Sequence, residues 1–304
     1  LGLCDTSNLC GALEFAEKIA KSGTQPIIGT QINFKIGETI GLLPLFALNE
    51  VGYKNIIELS SFSYLKNDDL SDPHLDFELL LNNSDGVAVF SGTVFGLFGK
   101  LFDKGKFTEI DEIYSKIKKS FGDKFYIEIQ RHNDQNEIGF EKFNLKKSLD
   151  LEIPIIATNE VFYLDKEMHE AHDALICIGN KTYVNEKNRL RLTDQHYLKT
   201  NSEMSELFAD LPEALENNYN FPLRCSYRPL FSNPILPNIS SDKDGNADEI
   251  LKNDSIEGLK IKFNKIFNLS DEDLENNNSY REYKNRLNHE LSIIIEMKYS
   301  SYFL

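Results

Sequence analysis

No stretch of this 304-residue sequence is apolar for long enough to cross a bilayer, which excludes a transmembrane-helix reading for any part of it. No secretory signal pattern is visible either. Cysteine is scarce. Cys4, Cys10, Cys177 and Cys225 form no CxxC pair and no dense framework, so a disulfide scaffold and a ribbon-type zinc site are both excluded. In a chain this long they read as reduced, cytosolic thiols. Positive charge is in deficit: 33 Lys and Arg face 48 Asp and Glu, for a net charge of -15 and a pI of about 4.9. Extensive phosphate-backbone binding needs a basic face, and the total speaks against it, although a local patch remains compatible. The glycines of "IGTQ" and "SGTVFG" match neither a P-loop nor GxGxxG, so they supply no phosphate cradle. No repeat of solenoid period is present. The only methionines are Met168, Met204 and Met297, so no initiator stands at Leu1, and the sequence is expected to begin inside a longer chain.

What is present is globular. The length suits one or two domains with a real core, and 41% hydrophobic with 27% charged residues is an ordinary composition for one. Residues 1–4 read as a buried strand, 5–8 as a polar turn, and Leu9, Leu13, Ala16 and Ile19 as a helical stripe closed near Gly23. "PIIGTQINF" (26–34) is β-rich, and "GLLPLFAL" is a further apolar run. "NEVGYKNIIELSSFSYL" (49–65) opens with an Asn cap and continues as a helix. "DGVAVFSG" (85–92), "KFYIEIQRHN" (124–133) and "IPIIATNEVFYL" (153–164) are strands. "FTEIDEIYSKIKKSFGD" (107–123) is a helix stopped by Gly122. Alternating strands and helices with polar residues at strand ends imply a parallel sheet or barrel. The strands at 1–4, 27–31, 87–91, 125–130 and 155–157 are expected to be parallel neighbours. After about Pro229 the texture shifts to a Pro-, Ser-, Asp- and Gly-rich linker (234–249), followed by helices.

Asp5, Gln31, Thr93, His132, Asn159 and Glu160 stand at strand ends. In a barrel they would meet on one rim, where active sites sit. A metal cluster there would need several imidazoles and carboxylates, and only Asp5, His132 and Glu160 have that chemistry. A hydrogen-bonded polar rim is the simpler reading. "MHEAHDAL" sets His169 and His172 three apart on a helix face, but it is not HExxH, and a packed histidine suffices to explain it. Cys4 reads as core packing, and the basic run "KNRLRL" as a solvated face.

"CDTSNLCGALEFAEKIAKSG", "PIIGTQ", "NEVGYKNIIELSS", "FYIEIQRH", "IPIIATNEVFYL", "NRLRLTDQHYLKT", "ELFADLPEALENN" and "YREYKNRLNHELSIIIEMKYSSYFL" follow one another in this order. Together they resemble the amino-terminal region of bacterial replicative DNA polymerase III alpha subunits, across the whole of the sequence. That resemblance implies an α/β fold: a PHP-type (polymerase and histidinol phosphatase) distorted (β/α)7 barrel lacking its first strand, then a mainly α-helical start of the polymerase core. It divides the chain into a PHP domain over 1–230, a linker over 231–250 and the beginning of the palm and thumb region over 251–304. A first strand with a His-x-His motif is expected ahead of Leu1, and the palm with its catalytic aspartates beyond Leu304.

The same resemblance bears on the rim. Where family members with an intact site have a histidine after the aspartate, this chain has Thr6. Gln31 replaces a glutamate, Thr93 a cysteine, and Glu160 and Phe162 an Asp and His pair, while Asp5 and His132 match. Losing most coordinating groups implies a degenerate metal site, with no catalytic or cofactor-binding residue in this segment. The implied role is a scaffold and interaction domain of a cytoplasmic DNA-directed DNA polymerase, with Mg2+ required by the parent enzyme alone. The implied partners are the proofreading exonuclease subunit, the sliding clamp and primer-template DNA, with no membrane. A metal-dependent phosphoesterase or proofreading nuclease at the rim is the competing reading.

Overall fold

A computed structural model of the chain describes residues 1–67, 72–232, 246–267, 270–274 and 276–304. The described residues fall into two compact units, Leu1–Phe231 and Ser232–Leu304. In the first, β1 (Gly2–Thr6) leads through α1 (Ala12–Lys21) to the long strands β2 (Ile27–Ile36) and β3 (Thr39–Ala47). Then follow α2 (Glu50–Leu65), the two-residue β4 (Leu75–Asp76), α3 (Phe77–Asn82), β5 (Val87–Phe90), α4 (Leu97–Asp103) and α5 (Phe107–Phe121). β6 (Phe125–Ile129), α6 (Gln135–Leu151) and β7 (Ile155–Ala157) complete the sheet. α7 (His169–Asn180), α8 (Asn201–Leu207), α9 (Pro212–Asn220) and a 3-10 turn at Phe221–Arg224 end the unit.

The strands form one sheet in the order β1-β2-β3-β5-β6-β7, with β4 on the side of β2. β1 lies parallel to β2, and β5, β6 and β7 are mutually parallel. β3 is antiparallel to both β2 and β5. The five expected strands therefore run in one direction, but they are not all neighbours. The apolar run "GLLPLFAL" is the strand inserted between them. Its connection to β2 explains the reversal: only Gly37 and Glu38 separate Ile36 from Thr39, and Gly37 sits at φ +55°, the left-handed geometry that two-residue hairpins need. The first strand also runs longer than expected, through Asp5 and Thr6, and α1 starts at Ala12 instead of Leu9. The sheet curls into a half-barrel. Gln31 on β2 donates from Nε2 to Glu160 Oε1, just past β7, at 3.3 Å, although three strands separate them in the sheet.

Alternation along each strand gives the curl two faces. Register pairs Cys4 with Gly29, Gly29 with Phe46, Phe46 with Ala88, Phe90 with Tyr126 and Glu128 with Ile156, so these residues share the concave side. The other set, including Ile32, Phe34, Leu43, Leu45, Val89, Ile127, Ile129 and Ala157, packs against the outer helices in the largest apolar core. On the concave side Phe46 lies so close to Gly29 that a Cβ there would come within 2.6 Å of its ring. Phe221 enters the same space from the 3-10 turn. Its ring centroid lies 5.7 Å from Phe46, 5.0 Å from Phe90 and 5.6 Å from Tyr126. The segment bearing it is tied down from both sides: Gln25 Nε2 donates to the carbonyls of Pro222 and Cys225, and Ser226 N donates to Leu48 O. Upstream, Asn217 Nδ2 donates to Ile155 O at 2.8 Å on the outer edge of β7. An edge strand is thus covered by α9. Arg131 holds this helical region to the sheet, clamping Glu141 and Asp210 with its fork and resting on the Phe208 ring.

The second unit comprises α10 (Ala247–Phe267), α11 (Asp271–Leu274), α12 (Asn278–Glu296) and α13 (Ser300–Phe303). Phe263, Leu274 and Tyr280 form its small core, and Asn277 caps α12 by accepting from Tyr280 N. The Pro- and Ser-rich linker expected at 234–249 lies mostly outside the described residues.

Filling the barrel interior makes Phe221 a main support of the fold. Phe221→Ala is expected to cost about 3–5 kcal/mol of unfolding free energy, whereas Leu223→Ala, on an exposed side chain of the same turn, should cost almost nothing. Denaturant midpoints for the two variants check this; equal midpoints would contradict it.

Candidate functional site

The polar end of the half-barrel assembles several of the expected residues. Thr93, His132 and Glu160 line one cavity together with Asp134, Glu137 and His196, and Gln31 reaches it through its bond to Glu160. Asp5 does not join them. It shares the outer face of β1 with Leu3, and its carboxylate lies beside Gly11 at the start of α1. The strand that carries it continues one residue beyond it, and this sets its direction. Thr6 is the residue in register with Gln31, and it is exposed. Thr93 turns its hydroxyl to its own loop, accepting from Phe95 N at 3.1 Å.

His132 is the most constrained group. Its Nδ1 faces Glu137 Oε1 at 3.0 Å, and its backbone N–H donates to Glu137 Oε2 at 2.8 Å. Glu137 is also the return half of the capping box that Asp134 opens at the start of α6. One glutamate thus closes a helix and orients an imidazole. On its open side, His132 is covered by His196, whose ring is parallel to it within 3° at 4.0 Å. Burial, with His132 second, pushes the His196 pKa down to about 4, so it is a neutral ring near pH 7. Phe162 tilts against His196 at 5.3 Å and stacks on His172 at 5.1 Å.

His196 belongs to a strap, residues 192–198, laid over the rim. Thr193 Oγ1 donates to His132 O, Phe162 N donates to His196 O, Leu198 N donates to Tyr163 O, and Asn159 Nδ2 donates to Tyr197 O. His169 meets Leu192 O at 3.0 Å. Upstream of the strap, Arg189 forms a two-pronged ion pair with Asp173 of α7, both oxygens at 2.6 Å. Both side chains are buried, so Arg189 departs from the solvated reading of "KNRLRL" and anchors the strap's approach, while Lys187, Asn188, Leu190 and Arg191 are exposed as expected. The guanidinium holds the Asp173 carboxyl below the ordinary range. Under this cover the rim cavity has a volume of about 10 Å3.

Beneath the rim lies a group that the strand reading passed over. Glu128, on the concave face of β6, is 6% exposed. It accepts from Thr158 Oγ1 and from Gln130 Nε2. Desolvation raises its pKa to about 7, against the pull of those bonds, and the neighbouring Glu160 adds to the rise. Glu160 is raised as well, chiefly by burial. The half-buried Cys4 thiol is pushed up by its own desolvation and by these carboxylates, which favours its protonated form. An acid inside the apolar run "FYIEI" was the available sign of Glu128, and Asp134 with Glu137 three residues on was the sign of the capping box. Nothing local marks His196.

Among the described residues no three His, Cys, Asp or Glu side chains come together in a group that could hold a metal ion. No described helix is long and apolar enough to cross a membrane.

Residues 1–132 match the family model described as the PHP domain. Over that segment the chain is similar to PHP domains. Along its whole length it is also similar to proteins named DNA polymerase III subunit alpha. It is 34% identical over 316 aligned positions to that of Caulobacter vibrioides, covering 100% of this chain and 26% of the relative. It is 36% identical over 304 positions to that of Rickettsia conorii, with 99% and 26% covered, and 33% identical over 311 positions to that of Haemophilus influenzae, with 100% and 26% covered. The chain spans about a quarter of the length of these curated relatives. His132 is the last residue of the matched PHP segment, so Glu160, Phe162, the strap and α7 all lie beyond it.

Glu128 gives the first unit a definite pH response. Its pKa is higher in the folded chain than in the unfolded one, so its stabilising contribution is complete below about pH 4.5 and is lost as pH rises through about 7. Glu128→Gln removes that loss. Its stability relative to the parent should rise between pH 5 and pH 8 by an amount on the order of 2–3 kcal/mol. Urea denaturation at the two pH values measures this; a difference that does not change with pH would contradict it.

Proposed function

We propose that this chain is the PHP-bearing part of the catalytic alpha subunit of a bacterial replicative DNA polymerase, and that within it the PHP domain is a scaffold and docking module. The whole-length similarity to proteins of that name supports the assignment of the parent. The parent reaction would be templated nucleotidyl transfer onto a primer, with Mg2+ ions clamping the phosphates. It would proceed in the cytoplasm with a proofreading exonuclease subunit, a sliding clamp and primer-template DNA as partners. We assign residues 1–230 to the PHP domain, 231–250 to a linker and 251–304 to the beginning of the polymerase core.

The observation that carries the scaffold reading is the closed rim, where Asp5, Gln31, Thr93 and Phe162 bring no metal ligand to the cavity. A compact metal cluster needs three or more convergent lone pairs from imidazole, thiolate or carboxylate, with supporting groups behind them. Here Gln31 offers an amide, Thr93 a hydroxyl already engaged by Phe95 N, and Phe162 a hydrocarbon ring, while Asp5 faces α1. Glu137 is spent on His132 and on its own helix start. These five positions do not make a metal cluster; of the other groups lining the cavity, His132 and His196 are stacked ring on ring and Glu160 is bonded to Gln31. The strap leaves about 10 Å3, against the several hundred Å3 of an ordinary small-molecule site. The phosphoesterase reading needs both the donors and the space.

Elemental analysis of the purified chain, together with a phosphodiester and phosphomonoester turnover assay, tests this. We expect Zn, Mn and Fe well below one per chain and no turnover above blank. Stoichiometric metal with hydrolysis abolished by His132→Ala would overturn the scaffold reading and make the rim an active site.

A further inference from the structure

Between the end of β6 and α6, three buried polar atoms face the same small space. Glu128 Oε2, Gln130 Oε1 and Asn144 Nδ2 have no hydrogen-bond partner. Their side chains line one cavity of about 20 Å3, whose remaining wall includes Val94 and Phe140, and also Glu137 and Glu141, whose carboxylates are held by His132 and Arg131. Glu128 is 6% exposed and Asn144 0%, so bulk solvent does not serve them. Their other ends are fixed. Asn144 Oδ1 accepts from the buried Tyr114 hydroxyl at 3.0 Å. Gln130 Nε2 donates to Glu128 Oε1 at 3.0 Å and to Thr158 Oγ1 at 2.9 Å. Turning the Gln130 amide over would set its oxygen against the Glu128 carboxylate. With the Glu128 carboxyl ionised, the cavity is therefore offered two acceptors and one donor.

We propose that this cavity is a binding site for a single water molecule, which donates to Glu128 Oε2 and Gln130 Oε1 and accepts from Asn144 Nδ2. Volume and valence agree. A water needs about 10–15 Å3 of such space and makes about three hydrogen bonds when buried. A metal cation of the oxygen-binding kind takes six or so oxygen ligands, and the Asn144 N–H group would oppose it. Anything larger does not fit. The water joins a sheet strand to the middle of α6, the helix whose first turn supplies Glu137 to His132. Its place is thus to fix the end of β6 against α6 beneath the rim.

High-resolution diffraction from crystals of the 304-residue chain, combined with oxygen-17 relaxation counting of long-lived waters, tests the site on the parent, Val94→Ile and Asn144→Leu. In the parent we expect one density peak within about 3.2 Å of all three atoms. Val94→Ile leaves every polar group in place and adds a methyl group to the cavity wall, so the peak should vanish and the count of long-lived waters should fall by one. Asn144→Leu should give the same loss, and Val94→Ile keeps the test open if that variant does not fold. A parent cavity without density, an amide turned to pair directly with a protein atom, or a count that Val94→Ile leaves unchanged would overturn the proposal.

Discussion

A curled sheet has an inside that no outer helix can reach, and this half-barrel has to fill that inside from its own strands and from one turn. Every second residue of β2, β3, β5, β6 and β7 is committed to the concave face by the pleat. Toward the start of β5 and β6 the filling is aromatic: Phe46, Phe90 and Tyr126 around Phe221. Toward the strand ends it is polar: Gln31, Glu128, Thr158 and Glu160. The change occurs within single strands, from Tyr126 to Glu128 on β6 and from Ile156 to Thr158 on and just past β7. The dry end stabilises the fold. The polar end holds the rim cavity and the strap that covers it.

At that polar end most charges are engaged by the chain itself, while Glu128 Oε2, Gln130 Oε1 and His132 Nε2 have no protein partner. Glu137 serves His132, Arg189 serves Asp173, and Gln31 serves Glu160. The 192–198 strap supplies backbone carbonyls and the His196 ring, so the place a substrate would take is filled by protein. A neutral His196 suits this position, because a charged imidazole stacked on His132 would add an unpaired charge to a buried site. Hydrogen bonds from Thr193, Asn159 and His169 hold the strap to the barrel over the rim.

Much of this was legible in the sequence. Apolar period and caps placed α2, α5 and the strands β2, β5, β6 and β7, and strand-end polarity placed Gln31, Thr93, His132 and Glu160 on one rim. Two features resisted for physical reasons. The direction of β3 depends on a two-residue turn at Gly37 and Glu38, and an apolar run alone carries no direction. The side to which Asp5 points depends on where β1 ends, and a shift of one residue reverses the face. Groups that act across long separations gave no local sign: His196 meets His132 from 64 positions away, and Phe221 reaches back to β3. Glu128 was visible as an acid within an apolar strand, but its raised pKa follows from the curl around it and from Glu160 nearby.

The central claim is that the rim is a closed polar network instead of a metal centre. Proton NMR of the histidine rings during titration with Mn2+ tests it most directly, because a paramagnetic ion broadens only nuclei close to where it binds. With one equivalent added, the His132 and His196 ring signals should keep their widths, or broaden no more than that of His74, which does not line the rim cavity. Selective loss of the His132 and His196 signals at one equivalent of Mn2+ would contradict the account.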